Sequence, residues 1–249
     1  MKNMGNAKKT IFSISSKPGV FGSMLYSRLF HEFDINFSYQ TLSVSSEHHL
    51  CKIFDPFRLT DEFHGMSISM PYKINAALAF PNRLDCHPSE VDSVNTILKT
   101  EKGIRSCSTD LAFFERFSEI FRMPAPTVFI YGSGAMGSMA YAYFFKCGFD
   151  VVSIKRNQLI DYFPVISSSN HCYFVNCTPF HVEELGLRPS ENCIFLDLPV
   201  RYDHPYADTP YIMTGYSCAM IQFQKQFKVY TGTDVDLDFV ENICNKLFL

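Results

Sequence analysis

The 249-residue chain has no tryptophan, no apolar run of about 18 residues, no Cys-x-x-Cys pair and no block of like charge. Each absence excludes something. Without a long apolar run, nothing is expected to span a membrane. The basic start, residues 1–10, leads only into Ile11-Phe12-Ser13-Ile14, too short for the core of a signal peptide. Lys and Arg number 22 against 25 Asp and Glu, for a net charge of −3. The basic residues form no stripe, so nucleic acid is not an expected partner. The nine cysteines (51, 86, 107, 147, 172, 177, 193, 218 and 244) are an odd number without paired spacing. Reduced thiols of a cytoplasmic protein fit them better than a disulfide framework. His48, His49 and Cys51 lie close together, but structural zinc needs four ligands and no second pair sits at ligand spacing. No metal is expected. There are no internal repeats and no low-complexity tract.

What is present is apolar and aromatic. Hydrophobic residues make up 47% and charged ones 19%, with 25 Phe and 13 Tyr. That composition supports a sizeable core, and the length suits one large domain or two small ones.

Residues 127–157 are the most informative. An apolar run, Val128 to Tyr131, breaks into Gly132-Ser133-Gly134-Ala135-Met136-Gly137. An apolar helical pattern follows, then a second strand pattern from Val151 to Ile154. This is a β-α-β unit opened by G-x-G-x-x-G, the dinucleotide fingerprint. Gly132 permits the tight turn, Gly134 lets backbone approach a pyrophosphate, and Gly137 lets helix and strand pack closely. The helix N-terminus offers N–H groups to phosphate. After the second strand stand Lys155, Arg156 and Asn157, where an NAD site carries a carboxylate for the ribose 2′-OH. A carboxylate repels a 2′-phosphate, whereas a guanidinium pairs with it in a bidentate way. The expected cofactor is therefore NADP.

Strand and helix signals also alternate before the fingerprint. Strands are expected at 10–14, 37–42, 66–70 and 96–99. Helices are expected at 23–33 and 73–80, with a weak, Pro-interrupted one at 50–63. Pro124 and Pro126 mark a linker at 122–126. Downstream, short strands at 173–175, 193–196 and 211–213 should extend the nucleotide sheet, and helices are expected at 217–230 and 236–249. The fold class is α/β with largely parallel sheets in two domains, a substrate domain ahead of a Rossmann domain. The expected division is 1–106 plus 233–249 for the substrate domain and 107–232 for the nucleotide domain. A cleft between the two domains would take the ligands.

A second set of motifs spans nearly the whole chain in one order. Gly65-Met66-Ser67-Ile68-Ser69-Met70-Pro71-Tyr72-Lys73 resembles the G-x-N-V-T-x-P-[HYF]-K segment of shikimate dehydrogenases. Ser93-Val94-Asn95-Thr96 resembles that family's A-V-N-T, Ser108-Thr109-Asp110 its N-T-D, and Asn176-Cys177-Thr178-Pro179 its N-A-T-P. Residues 215–222 and 227–232 are similar to its G-x-x-M-x-x-x-Q and A-F-E-x-W-T-G. The resemblance implies a C-terminal helix returning to the first domain, and NADPH-dependent reversible reduction of 3-dehydroshikimate to shikimate. It implies Lys73 and Asp110 as the catalytic pair. Ser69, Asn95 and Gln222 would hold substrate hydroxyl groups, and Ser15 the carboxylate. The cofactor set extends to Asn176, Thr178, Gly215 and Cys218.

The chemistry agrees with that pair. Hydride reduction of a ketone builds negative charge on oxygen, which a nearby cationic donor stabilises and protonates. Departures from the family pattern bear on the substrate. Ser67 stands for Asn and Ser69 for Thr; Leu111 and Phe113 replace two glycines; Cys218 replaces the Met facing the nicotinamide. Phe180 and His181 stand where small residues belong. Lys17 stands where the second Ser of S-x-S-P belongs, a cation able to serve the carboxylate site. These features are closer to the divergent shikimate dehydrogenase-like branch. The leading expectation is an NADP-dependent oxidoreductase acting on shikimate or an analogue such as quinate. The alternative is a protein that binds NADP or shikimate with little turnover. The chain leaves monomer and homodimer open.

Overall fold

The computed structural model describes residues 8–46, 53–54, 60–87, 91–201 and 203–248. The His48, His49 and Cys51 group lies outside the described residues, as does most of the expected helix at 50–63. The chain forms two compact units, residues 1–109 with 223–249 and residues 110–222. The sequence placed these divisions at 106/107 and 232/233.

The first unit holds a five-stranded sheet of β1 (Lys9–Ser15), β2 (Phe37–Ser43), β3 (Phe63–Ile68), β4 (Thr96–Thr100) and β5 (Gly103–Cys107). The spatial order is β2-β1-β3-β4-β5. β1 runs parallel to β2 and β3, but β4 is antiparallel to both β3 and β5. This sheet is therefore mixed. Glu101 and Lys102 leave no room for a crossover, and a two-residue link can join only antiparallel strands. α1 (Phe21–Glu32) is amphipathic, burying Leu25, Tyr26, Leu29 and Phe30. α2 (Lys73–Ala79) follows Pro71 and buries Ala76 and Ala77. The core on one face gathers Ile14, Phe63, Met66, Ile68, Phe80 and Ile97.

The second unit contains α3 (Leu111–Ile120) and a parallel sheet of β6 (Thr127–Tyr131), β7 (Asp150–Ile154), β8 (Cys172–Asn176), β9 (Cys193–Asp197) and β10 (Ile212–Thr214). α4 (Ala135–Lys146) and α5 (Leu159–Ser168) supply crossovers. The spatial order is β10-β9-β8-β6-β7, all parallel. Read from the other edge, this is the doubly wound 2-1-3-4-5 arrangement. β6, β8, β9 and β10 are buried almost throughout and read as continuous apolar runs rather than alternating ones, whereas the edge strand β7 exposes Asp150 and Ser153. Phe129, Phe174 and Phe195 lie in the core on one face, while Phe117, Phe144 and Tyr173 pack together elsewhere in the unit. α5 tolerates Pro164 in its interior.

α6 (Gly215–Thr231) continues the chain across position 222, and α7 (Leu237–Phe248) ends it. α7 belongs to the first unit, with Phe239 against Phe33. Among the described residues no helix is long and apolar enough to cross a membrane.

Candidate active site

In an open α/β sheet, ligands lie beyond the carboxyl ends of the strands where the strand order reverses. Each unit has such a point. In the second it falls between β6 and β8. Gly132 leaves β6 at φ +115°, a conformation that side chains resist, and a Cβ there would press on the Cys177 backbone. A Cβ on Gly137 would sit 1.9 Å from the Gly132 carbonyl oxygen, so helix and turn touch through backbone alone. A Cβ on Gly134 would meet nothing within 4 Å. Gly134 is the N-cap of α4, and no side chain caps that end. Ser133 is exposed, and Ala135 and Met136 are half-buried beside it.

Lys155, Arg156 and Asn157 are exposed just beyond β7, the strand next to β6. The Lys155 N–H donates to Gln158 Oε1 at 3.0 Å. The Arg156 guanidinium lies 5.0 Å from the centroid of Phe180, a cation–π contact. Phe180 thus has a use that its sequence position did not disclose.

The loop after β8 is pinned by its own first residue. Asn176 is fully buried; its amide donates to the Phe180 carbonyl and to Asp197 Oδ1, each at 2.6 Å. Its Oδ1 accepts from the Thr178 N–H at 3.1 Å and the Thr178 hydroxyl at 2.7 Å. Both amide hydrogens and both lone pairs are spent inside the protein. Asp197, also fully buried, accepts further from His204 Nε2 at 3.0 Å and the Val182 N–H at 3.4 Å. Burial pushes its carboxyl above the usual range, against the pull of those donors. Gly215 opens α6, and Cys218, 4% exposed, has its thiol pushed well up by burial, with Asp197 and Cys177 adding to the effect.

His181, Glu183 and Asp197 offer ligand atoms within 4.8 Å of one another. His181 Nδ1 and Glu183 Oε2 are buried without a hydrogen-bond partner. Arg201 already pairs with Glu183, however, and three donors occupy Asp197. Positive charge and donors are in place where a cation would have to enter.

In the first unit the reversal falls between β1 and β3. Ser15 ends β1, is 6% exposed, and its hydroxyl has no hydrogen-bond partner. Ser69 follows β3, exposed, and its N–H donates to the Ile14 carbonyl at 2.9 Å. The Ser16 N–H donates to the Met70 carbonyl at 3.3 Å, tying the two strand ends together. Lys73 opens α2, half-buried, and Lys17 is exposed.

Asn95 is fully enclosed. Its Oδ1 accepts from the Thr109 N–H at 2.9 Å and the Thr96 hydroxyl at 2.7 Å, and its amide donates to Thr109 Oγ1 at 3.0 Å. The residue after Thr109 is Asp110, assigned to the second unit and 1% exposed. Asp110 stands at the N-cap of α3, yet its carboxylate makes no capping bond. His87 braces the same turn, with Nε2 donating to the Val91 carbonyl at 2.9 Å and Nδ1 accepting from the Ser108 N–H at 3.1 Å. That tautomer is neutral, and burial lowers the His87 pKa accordingly.

Beneath these strand ends lies a polar cluster that sequence reasoning missed. Gln226 is 1% exposed. Its Oε1 accepts from Tyr26 at 2.8 Å and from Ser67 at 3.1 Å, and its amide donates to Thr96 Oγ1 at 2.8 Å and to the Asn95 carbonyl at 3.2 Å. Ser67 Oγ also meets the Tyr230 hydroxyl at 2.7 Å. Tyr26 stacks on Tyr39 with centroids 4.5 Å apart. Gln222, one helical turn earlier, is half-buried. The partners lie 130 to 200 positions apart, and no local pattern signals them.

Residues 20–97 match the model of the shikimate dehydrogenase substrate binding domain. A shikimate dehydrogenase-like protein of Haemophilus influenzae is 27% identical over 150 residues, covering 59% of this chain and 53% of the relative. The matched stretch thus spans about half the length of that relative. The solved structure of a shikimate 5-dehydrogenase-like protein has a TM-score of 0.75 at 22% identity, covering 97% of this chain and 98% of the other. Shikimate 5-dehydrogenase of Thermus thermophilus, solved with NADP(H) and shikimate, has a TM-score of 0.73 at 19% identity, covering 96% and 99%. The two structural likenesses show a shared fold. The resemblance read from the sequence, to the shikimate dehydrogenases and their divergent branch, is thus met in sequence and in fold.

Proposed function

We propose that this chain is an NADP-dependent oxidoreductase interconverting 3-dehydroshikimate with shikimate, or the corresponding forms of a close analogue such as quinate. The observation that carries the reading is the glycine-lined, uncapped start of α4 at a sheet reversal, with Lys155 and Arg156 on the adjacent strand end. These residues fit NADP. N–H groups of Ala135, Met136 and Gly137 would hold the pyrophosphate, and Gly134 leaves the space above them open. Arg156, set over the Phe180 ring, would pair with the 2′-phosphate, with Lys155 and Asn157 beside it. When bound, NADPH supplies the hydride.

The first unit would supply Ser15, Lys17, Ser69 and Lys73 to the substrate. Ser15 supports this directly, since a buried hydroxyl without a partner awaits one, and a carboxylate oxygen would satisfy it. Ser69 and Gln222 hold ring hydroxyl groups, and Lys17 adds positive charge near the carboxylate. Lys73 protonates the carbonyl oxygen as negative charge grows there, and takes the proton back from the hydroxyl in the reverse direction. Asp110 is the proposed carboxylate partner of Lys73 in that proton transfer. Asn95 and Asn176 act as positioning residues, Asn95 through Thr109 and Asn176 through Thr178. The likeness to a structure solved with NADP(H) and shikimate supports the ligand pair.

Binding without turnover is the second reading, favoured by the enclosure of Asn95, whose side chain is held by Thr96 and Thr109. Purified protein incubated with NADP or NAD and a panel of shikimate, quinate and related hydroxy acids separates the two. NADP-linked oxidation of shikimate or quinate is expected at the NADPH absorbance, with turnover falling on the order of 10²-fold or more in Lys73→Ala. Tight NADP binding without turnover of any panel member would transfer the assignment to the second reading.

A further inference from the structure

Cys172 is the first residue of β8 and Cys193 the first residue of β9, and the two are direct partners in the parallel ladder. Adjacent strands lie about 4.7–4.9 Å apart, within the Cα separation that a disulfide accepts. Their side chains leave the sheet on the same face, and the sulfur atoms are 2.7 Å apart in an S–H···S contact. Both cysteines are buried and both are thiols. A cavity of about 270 Å³ opens against Cys193, lined also by Ile166, Ser169, Ser190, Asn192 and Phe195. It gives a small polar oxidant a route to a pair that bulk solvent does not reach.

The geometry points to Cys172 and Cys193 as a dithiol that hydrogen peroxide or a small organic peroxide converts to an intrachain disulfide. Peroxide oxidises one thiolate to a sulfenic acid, breaking the O–O bond and releasing water or an alcohol. The second sulfur then attacks the first, forming the S–S bond and expelling the sulfenic oxygen as water. With hydrogen peroxide, two thiols lose two hydrogens and the peroxide leaves as two water molecules. The partner thiol draws Cys172 below the ordinary thiol range and holds Cys193 above it.

The bond would tie together the amino ends of β8 and β9. The glycine turn follows the carboxyl end of β6, which runs parallel to them, so cofactor binding stays intact.

The test uses the whole protein, reduced with dithiothreitol, freed of reductant, and exposed to stoichiometric hydrogen peroxide. Remaining thiols are alkylated before digestion without reductant. The expected product is one linked pair of peptides containing Cys172 and Cys193, two hydrogens lighter than their sum and separated again by dithiothreitol. The thermal midpoint should rise by several degrees on oxidation and return on reduction, and Cys193→Ala should show neither the link nor the rise. Exposed Cys86 and Cys147 are internal controls for peroxide reactivity. Recovery of Cys172 and Cys193 only as separate alkylated or over-oxidised peptides, or linked to other cysteines, would overturn the proposal.

Discussion

A hydroxyl removed from water and left without a partner costs roughly 1–3 kcal/mol, and Ser15 bears that cost at the end of β1. Ser15→Ala would relieve it, so the thermal midpoint should hold or rise. The Michaelis constant for a carboxylate substrate should rise about tenfold, the worth of one ordinary hydrogen bond. An unchanged constant would remove Ser15 from the carboxylate site. At this scale the sequence is legible where the physics is local. Gly132 and Gly137 could be read in advance because a positive φ and a backbone contact exclude every side chain whatever surrounds them. Ser15 could be singled out only through resemblance, because nothing in its neighbours reports that its hydroxyl lacks a partner. The enclosed amide of Asn95 and the pairing of Phe180 with Arg156 are long-range facts, hidden from any window of sequence.

Elements were legible in proportion to their apolar runs. β1, β6, β8 and β9 stand within a residue or two of their expected positions, and for β8 and β9, buried at every residue, the reason is a nearly unbroken apolar run. β5 went unread because Gly103-Ile104-Arg105-Ser106-Cys107 is short and mixed, and with it went the antiparallel hairpin that makes the first sheet mixed. α5 went unread because Pro164 and its serine-rich end obscure the helical period. α6 was expected, but its inward-facing glutamine was not. Gln226 joins α6 to β3, β4 and α1 through Ser67, Thr96 and Tyr26. Gln226→Leu would leave those hydroxyls buried and short of partners, and should destabilise the first unit by about 1–3 kcal/mol. A urea titration read by circular dichroism would register that loss. A midpoint equal to the parent's would mean that the cluster contributes little.

For the molecule as a whole, the doubly wound arrangement of the second unit was legible from the single β-α-β signature. The mixed sheet of the first was not, because hairpin pairing depends on which strands meet. Cofactor preference can be read on the intact protein. A ligand present at 100 times its dissociation constant stabilises the folded state by about 2.7 kcal/mol, so NADP should raise the thermal midpoint more than equimolar NAD. Arg156→Ala should erase most of that difference, and equal shifts from the two nucleotides in the parent would argue against a 2′-phosphate contact. The phenols around Gln226 carry a separate consequence. Burial raises the pKa of Tyr26, Tyr39 and Tyr230 above the ordinary value, while an unfolded chain would ionise them near 10. Their contribution is complete below that value and fades as alkalinity increases beyond it. In an ultraviolet titration, phenolate absorption from these three rings should lag behind that of exposed tyrosines, then appear abruptly as the structure gives way. The first unit thus carries its own ceiling on basic conditions, set by rings that cannot shed a proton where they stand.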